Sequence, residues 1–161
     1  MLTFEIKNKI AKAIKVFCNV YGLDEAATSQ YTIMVYYKEF NDFIYLDING
    51  IKIKDEPDHK NSCKVGLAKM TEAGADVSIL TTDIPGGYLS AAGIRIKNGI
   101  VLMAGNIKRF HGEKILAVVL HKLDLISEKE FIQIKEDLRV EKLGVSQDEK
   151  FMLFTTLFQN T

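Results

Sequence analysis

The run "GIRIKNGIVLM", Gly93 to Met103, constrains the fold more than any other segment, because aliphatic residues alternate on both sides of Asn98-Gly99. Both residues of an Asn-Gly pair tolerate the positive φ of a two-residue type I′ loop, so the pattern predicts a hairpin. That loop pairs Ile96 with Val101 and Ile94 with Met103. Ile94, Ile96, Val101 and Met103 then share one face, and Arg95, Lys97, Ile100 and Leu102 share the other. One apolar face beside one that mixes charge with bulk predicts a sheet covered by helices mainly on one side.

The neighbouring segments extend this to an α+β fold. Apolar positions Phe4, Ile10, Ala13, Ile14, Phe17 and Tyr21 form a helical stripe that stops at Gly22. "YTIMVYYKEF", a turn at Asn41-Asp42, "FIYLDI", Asn49-Gly50 and "IKIK" predict a three-stranded meander. A two-residue loop at Asn41-Asp42 puts Ile33, Val35, Tyr37, Leu46 and Ile48 on the core side. A second helix opens at Pro57 and ends at Gly74, with Cys63, Leu67 and Met70 on one side. "ADVSILTTDIPGG" reads equally as a short strand or as irregular chain.

Helical patterns follow at Gly112 to Leu123, Glu128 to Leu143 and Asp148 to Phe158. Ser127-x-x-Glu130 and Ser146-x-x-Glu149 both fit the capping box. The expectation is one domain over 1–161: a core over 1–125 with about five antiparallel strands, meander plus hairpin, flanked by helices, and a C-terminal helical extension over 126–161. Phe151, Phe154 and Phe158 recur at helical spacing, and a helix this apolar must dock. A helix added after a complete set of elements has few vacant internal sites, so these three are expected at an interface with a neighbouring subunit.

Lys+Arg and Asp+Glu both total 21, so no long-range field favours nucleic acid or an anionic membrane. No run approaches the roughly 18 apolar residues of a membrane span. The N-terminal "MLTFEIKNKIAKAIKVF" lacks the unbroken apolar core of a signal peptide, so cytoplasmic residence is expected. Two cysteines, Cys18 and Cys63, are too few for a disulfide framework.

Extending the hairpin register pairs Gly93 with Ala104 and Ala92 with Gly105, which leaves its far end almost without side chains. Two readings stand: a helix packed tightly on small residues, or a shelf where a flat or anionic ligand rests on backbone amides. On the second, Gly93, Ala104 and Gly105 form the shelf, and Arg95 and Lys97 are the anion partners. Neither Gly-x-Gly-x-x-Gly nor the P-loop pattern occurs, and the run leads into a strand where both motifs require a helix. Gly99 is assigned to the turn; Gly86, Gly87, Gly93 and Gly105 remain candidates for close approach.

The order helix, meander, helix, Gly-rich approach, "AAGIRIKNGIVLMAGNI" and a helix near "HGEKILAVVL" resembles the GlcG/HbpS family of haem-binding or haem-degrading domains. The resemblance covers Leu2 to Leu123 as an element order and Ala92 to Ile107 as a motif. Gly93-Ile94-Arg95-Ile96 lacks the family's proline, and the first helix has no histidine that could ligate a haem. The resemblance implies a profilin-like sheet and self-association, and holds haem open as a ligand.

Other constellations are sparse. His111-x-Glu113 begins a zinc deaminase signature, but no Pro-Cys-x-x-Cys follows. His111 reads as an exposed or capping residue near a helix start, and His121 as a surface residue near a helix end. His59 and Cys63, at i and i+4, are a two-ligand metal candidate. The chain therefore reads as a non-enzymatic, self-associating small-ligand-binding domain. The alternative is a protein-interaction module that uses its C-terminal helices and takes no small ligand.

Overall fold

The computed structural model describes residues 2–46, 56–81, 91–139 and 145–161. The elements are α1 (Leu2–Tyr21), α2 (Glu25–Thr28), β1 (Tyr31–Tyr37), β2 (Asp42–Leu46), α3 (Glu56–Ala73), a 3-10 turn (Ser78–Leu80), β3 (Ala92–Ile96), β4 (Gly99–Gly105), α4 (Arg109–Lys122), α5 (Glu128–Arg139) and α6 (Val145–Gln159). The four strands form one antiparallel sheet in the order β2-β1-β4-β3. The fold is α+β. The predicted strand at 51–54, the Asn49-Gly50 turn and Ile48 lie outside the described residues, as do Gly86 and Gly87.

Both hairpins differ from the expected register by an even number of residues. Ile96 pairs with Gly99, not Val101, so the two-residue loop is Lys97-Asn98. Tyr37 pairs with Asp42, so four residues, Lys38 to Asn41, join β1 to β2. Asn41 takes the left-handed conformation there (φ 46°) and its side chain accepts from the Tyr36 hydroxyl at 3.0 Å. An even slip leaves every side chain on its face. The predicted core sides therefore hold: Ile33, Val35, Ile94, Ile96, Val101 and Met103 all enter one cluster.

Gly99 requires a correction. Among the described residues positive φ occurs only at Asn41, Asp124, Gly22 and Gly74, so neither Asn98 nor Gly99 adopts a type I′ conformation. Gly99 is instead needed for close approach, since a Cβ there would lie 1.8 Å from the Tyr36 carbonyl oxygen of β1. Gly22 and Gly74 do end α1 and α3 with positive φ, as their positions suggest.

The sheet is covered on both faces, not mainly on one. The face bearing Ile94 and Val101 packs against α1 and α4, with α5 and α6 beyond. The opposite face, expected to be partly exposed, buries Met34, Ile100, Leu102 and Ala104 under Cys63 and Met70 of α3. The spacing of Cys63, Leu67 and Met70 thus marked the face of α3 that closes this second core. Helix α4 is buried along its whole length from His111 to Leu120, sandwiched between the sheet and the other helices. Phe4, placed on the apolar stripe of α1 by spacing, is 63 % exposed; Ile6, Ile10, Ala13, Ile14 and Phe17 carry the packing.

The C-terminal helix docks at home. Phe151, Phe154 and Phe158 are buried within their own chain, against α1 and α4, with Phe154 edge-on to Phe17 at 5.0 Å. Their assignment to a subunit interface is thereby corrected. α1 and α4 present aromatic surface away from the sheet, and α6 covers it. Lys122 holds the end of α6 by donating to the carbonyls of Phe158, Gln159 and Thr161. Among the described residues, the large apolar side chains of α6 left in solvent are Met152, Leu153 and Leu157.

Candidate functional site

The glycine end of the hairpin offers no open shelf. A Cβ on Gly93 would come within 2.5 Å of the Met70 sulfur, and Ala104 is buried under α3. A Cβ on Gly105 would meet the Gln30 carbonyl at 2.2 Å, so there the backbone of the β1 entry makes the close approach. Tight packing on small residues is the arrangement found. Arg95 is committed to the C-terminal end of α3: its guanidinium donates to the Ala75 carbonyl at 3.0 and 3.2 Å and lies 3.4 Å from the Asp76 carboxylate. Lys97 stands apart, in a cleft of about 360 Å³ with Tyr37, Glu39, Phe40 and Asp124. The five shelf residues do not converge on one site.

His59 and Cys63 do share a face of α3, and both are buried. Burial pushes the Cys63 thiol up to about 12, so in the metal-free protein it is held as a protonated thiol. No group of three or more metal-ligating side chains occurs among the described residues. Cys63 lies against the sheet, and the wide cleft at Lys97 is lined by Tyr37 but by no histidine or cysteine among the described residues.

Arg109, which received no reading from the sequence, and Glu113, read there only in the His111-x-Glu113 pair, are both on α4. Glu113 is fully buried, yet it follows Arg109 by one helical turn and its carboxylate lies 3.9 Å from the guanidinium. Ser78, on the 3-10 turn, donates its hydroxyl proton to Glu113 and accepts from the Gly93 amide at 3.0 Å. The turn is tied to the sheet edge by the Val77–Ile94 bridge and by the Arg95 amide donating to the Asp76 carbonyl at 2.8 Å. A buried carboxylate is tolerable only when charge and hydrogen bonds compensate it, and this network supplies both.

The network opens onto a cavity of about 100 Å³ between α3, the 3-10 turn and the start of α4. Its polar wall consists of Arg109, Lys69, Ser62, Ser78 and Thr81, and its apolar wall of Val65, Gly66 and Ala91. Gly66 brings α3 close enough for this, since a Cβ there would already stand 3.0 Å from Leu102 and 3.2 Å from Ala91. Lys108, the N-cap of α4, makes no side-chain cap bond, so the first turn of α4 adds partial positive charge beside Arg109. Arg109 and Lys69 place two cationic side chains on the wall of this small polar cavity, with Glu113 behind Arg109.

One sequence signal could have found part of this site. Arg109 and Glu113 stand four apart in "RFHGEKILAVVL", a spacing that puts opposite charges on one helix face and so favours an ion pair. Ser78 carried no such signal.

His111 is buried rather than exposed. Its ring stands edge-on to Phe17 at 5.1 Å and beside Tyr21 at 5.5 Å. Burial, helped by the positive charges of Lys114 and Lys108, lowers its pKa from 6.5 to about 4. The unfolded chain therefore binds a proton that the folded chain refuses between those values, and stability falls as pH drops through that window. The expected loss on going from pH 7 to 4 is roughly 3 kcal/mol at about 1.4 kcal/mol per unit. Urea titrations across this range should show that slope flattened in His111→Phe; an equal slope in both proteins would refute the assignment. His121 does lie near the helix end as expected, stacked on Phe131 at 4.3 Å with Nε2 2.6 Å from Glu128.

No helix among the described residues is long and apolar enough to cross a membrane. Comparison with family models, with curated proteins and with solved structures finds no match for this chain.

Proposed function

We propose that this protein is a small-ligand-binding domain that takes an anion in the cavity bounded by Lys69, Ser78 and Arg109. The observation that carries the reading is that Arg109, itself buried, and Lys69 line one small cavity together with the hydroxyls of Ser62, Ser78 and Thr81. A guanidinium lining such a space, screened from bulk water, attracts an anion far more strongly than a surface lysine does. The resemblance to GlcG/HbpS domains supports the same class of function. A profilin-like sheet with a fifth strand at 51–54, a cytoplasmic setting and self-association belong to the same proposal.

Titration of the full chain with acetate, followed by amide chemical shifts, tests the reading. Saturable shifts are expected at Ser62 to Lys69, Ser78 to Thr81 and Arg109. Lys69→Met should weaken binding about tenfold, in line with a charge-assisted contact of about 1.5 kcal/mol, while Lys97→Met should leave it unchanged. Shifts that respond to Lys97→Met and not to Lys69→Met would overturn it.

A second reading, an interaction module without a small ligand, is favoured by one observation: Met152, Leu153 and Leu157 lie exposed on α6, over the Phe residues that anchor it. Sedimentation of the protein and of Leu153→Lys separates the readings, because a complex through α6 would dissociate in that variant.

A further inference from the structure

We propose that the cleft at Lys97 is a second binding site, for a small zwitterion with an apolar body: the chemistry of a free apolar amino acid. It lies past the last turn of α4, about 20 Å along the helix from Arg109 at the standard rise per residue, and shares no lining residue with the Arg109 cavity.

Three loops build the cleft, and each is held by its own backbone. The β1–β2 loop brings Glu39 and Phe40, the β3–β4 hairpin brings Lys97 and Asn98, and the chain after α4 brings Asp124 and Leu125. The Lys38 amide donates to the Asn98 carbonyl at 2.9 Å and ties the first two loops together. Asp124, in the left-handed conformation (φ 58°), and Leu125 close α4 by donating their amides to the carbonyls of His121 and Leu120 at 3.1 and 2.9 Å. Walls formed in advance keep the ordering cost of binding low.

The lining divides in two. Tyr37, Ile96 and Leu125 belong to the margin of the main core and form an apolar base, with the exposed Phe40 ring beside it. At about 360 Å³ the cleft falls in the range of roughly 300 to 1,000 Å³ of small-molecule sites, where a mostly apolar lining takes the body of a ligand and a few polar groups orient it. Glu39, Asp124 and Lys97 are those groups here. All three are exposed, and their side chains make no ion pair or hydrogen bond in the structure. A rim of both signs beside an apolar base matches a ligand with both signs beside an apolar group. An amine alone would set a like charge against Lys97, and an acid alone would set one against Glu39 and Asp124. An α-amino acid turns its ammonium to the carboxylates and its carboxylate to Lys97.

Phenylalanine, phenethylamine and 3-phenylpropionate share one apolar body, differ in charge, and serve as the probes. Amide-shift titration of the full chain at pH 7 and low salt should give phenylalanine about fivefold tighter binding than either of the others, the scale of an exposed charge contact. The shifts should fall at Tyr37 to Phe40, Ile96 to Asn98, Asp124 and Leu125. Lys97→Met should weaken phenylalanine about fivefold without weakening phenethylamine, Asp124→Asn should weaken phenylalanine without weakening 3-phenylpropionate, and Phe40→Ala should weaken all three. These side chains are exposed, and the amide spectrum of each variant reports that its fold is kept. Phenylalanine bound no tighter than the two single-charge probes would overturn the zwitterion assignment, and an absence of shifts at the cleft would overturn the site. Both outcomes leave the anion reading standing, because it rests on other residues.

Discussion

Replacing Gly99 with valine is expected to unfold most of the protein at room temperature, a loss on the order of 4 kcal/mol or more. A side chain at this position is directed at the backbone of β1, with its Cβ 1.8 Å from the Tyr36 carbonyl oxygen. That oxygen belongs to a central strand paired on both sides, so it cannot retreat without breaking the β1 ladder. The loop adds to the constraint, because the Lys38 amide donates to the Asn98 carbonyl at 2.9 Å and draws the two strand ends together. Even Gly99→Ala should be severely destabilised, which distinguishes close approach from a simple turn requirement. Denaturant midpoints of both variants check this; alanine within 0.5 kcal/mol of the parent would disprove the register.

Replacing Glu113 with leucine is expected to cost about 3 to 5 kcal/mol, because it removes a counter-charge of the buried Arg109 and the acceptor of the Ser78 hydroxyl. Its effect should be conditional on the arginine. In Arg109→Met/Glu113→Leu both charges are gone and apolar surface fills the space, so most of the stability should return. Anion binding should not return, because the guanidinium is what the ligand meets. Melting curves and acetate titrations of the single and double variants measure the two effects separately. A double variant that binds acetate as the parent does would remove Arg109 from the site.

Side-chain facing was legible in the sequence although both hairpin registers were not. Alternation with a period of two survives any even slip, so Ile94, Val101 and Ile33 could be assigned to the core while their exact partners could not. The glycines were read by the commonest local rule, in which Asn-Gly makes a turn. At Gly99 and Gly105 the deciding contact comes from β1 and its entry, some 60 to 75 residues earlier in the chain, and no local pattern encodes it. The same limit applies to the shelf. Small residues at Gly93 and Ala104 announced that something approaches, but a helix and a ligand demand the same absence of side chain.

The sequence by itself determined the α+β class, helices α1 and α3 with their glycine ends, the Ser127–Glu130 capping box that opens α5, and the faces of the strands. These follow from periodicity and from backbone preferences that act within a few residues. Only the tertiary structure decided that α3 closes the second face of the sheet, that α6 returns to its own α1 and α4, and that Lys69, Ser78 and Arg109 surround one cavity. Those three come from three separate elements, and what brings them together is the packing of α3 and α4 on opposite faces of one sheet around the end of β3. Convergence of that kind depends on where distant apolar surfaces meet, and that is decided by the global packing of the core rather than by any stretch of residues read in order.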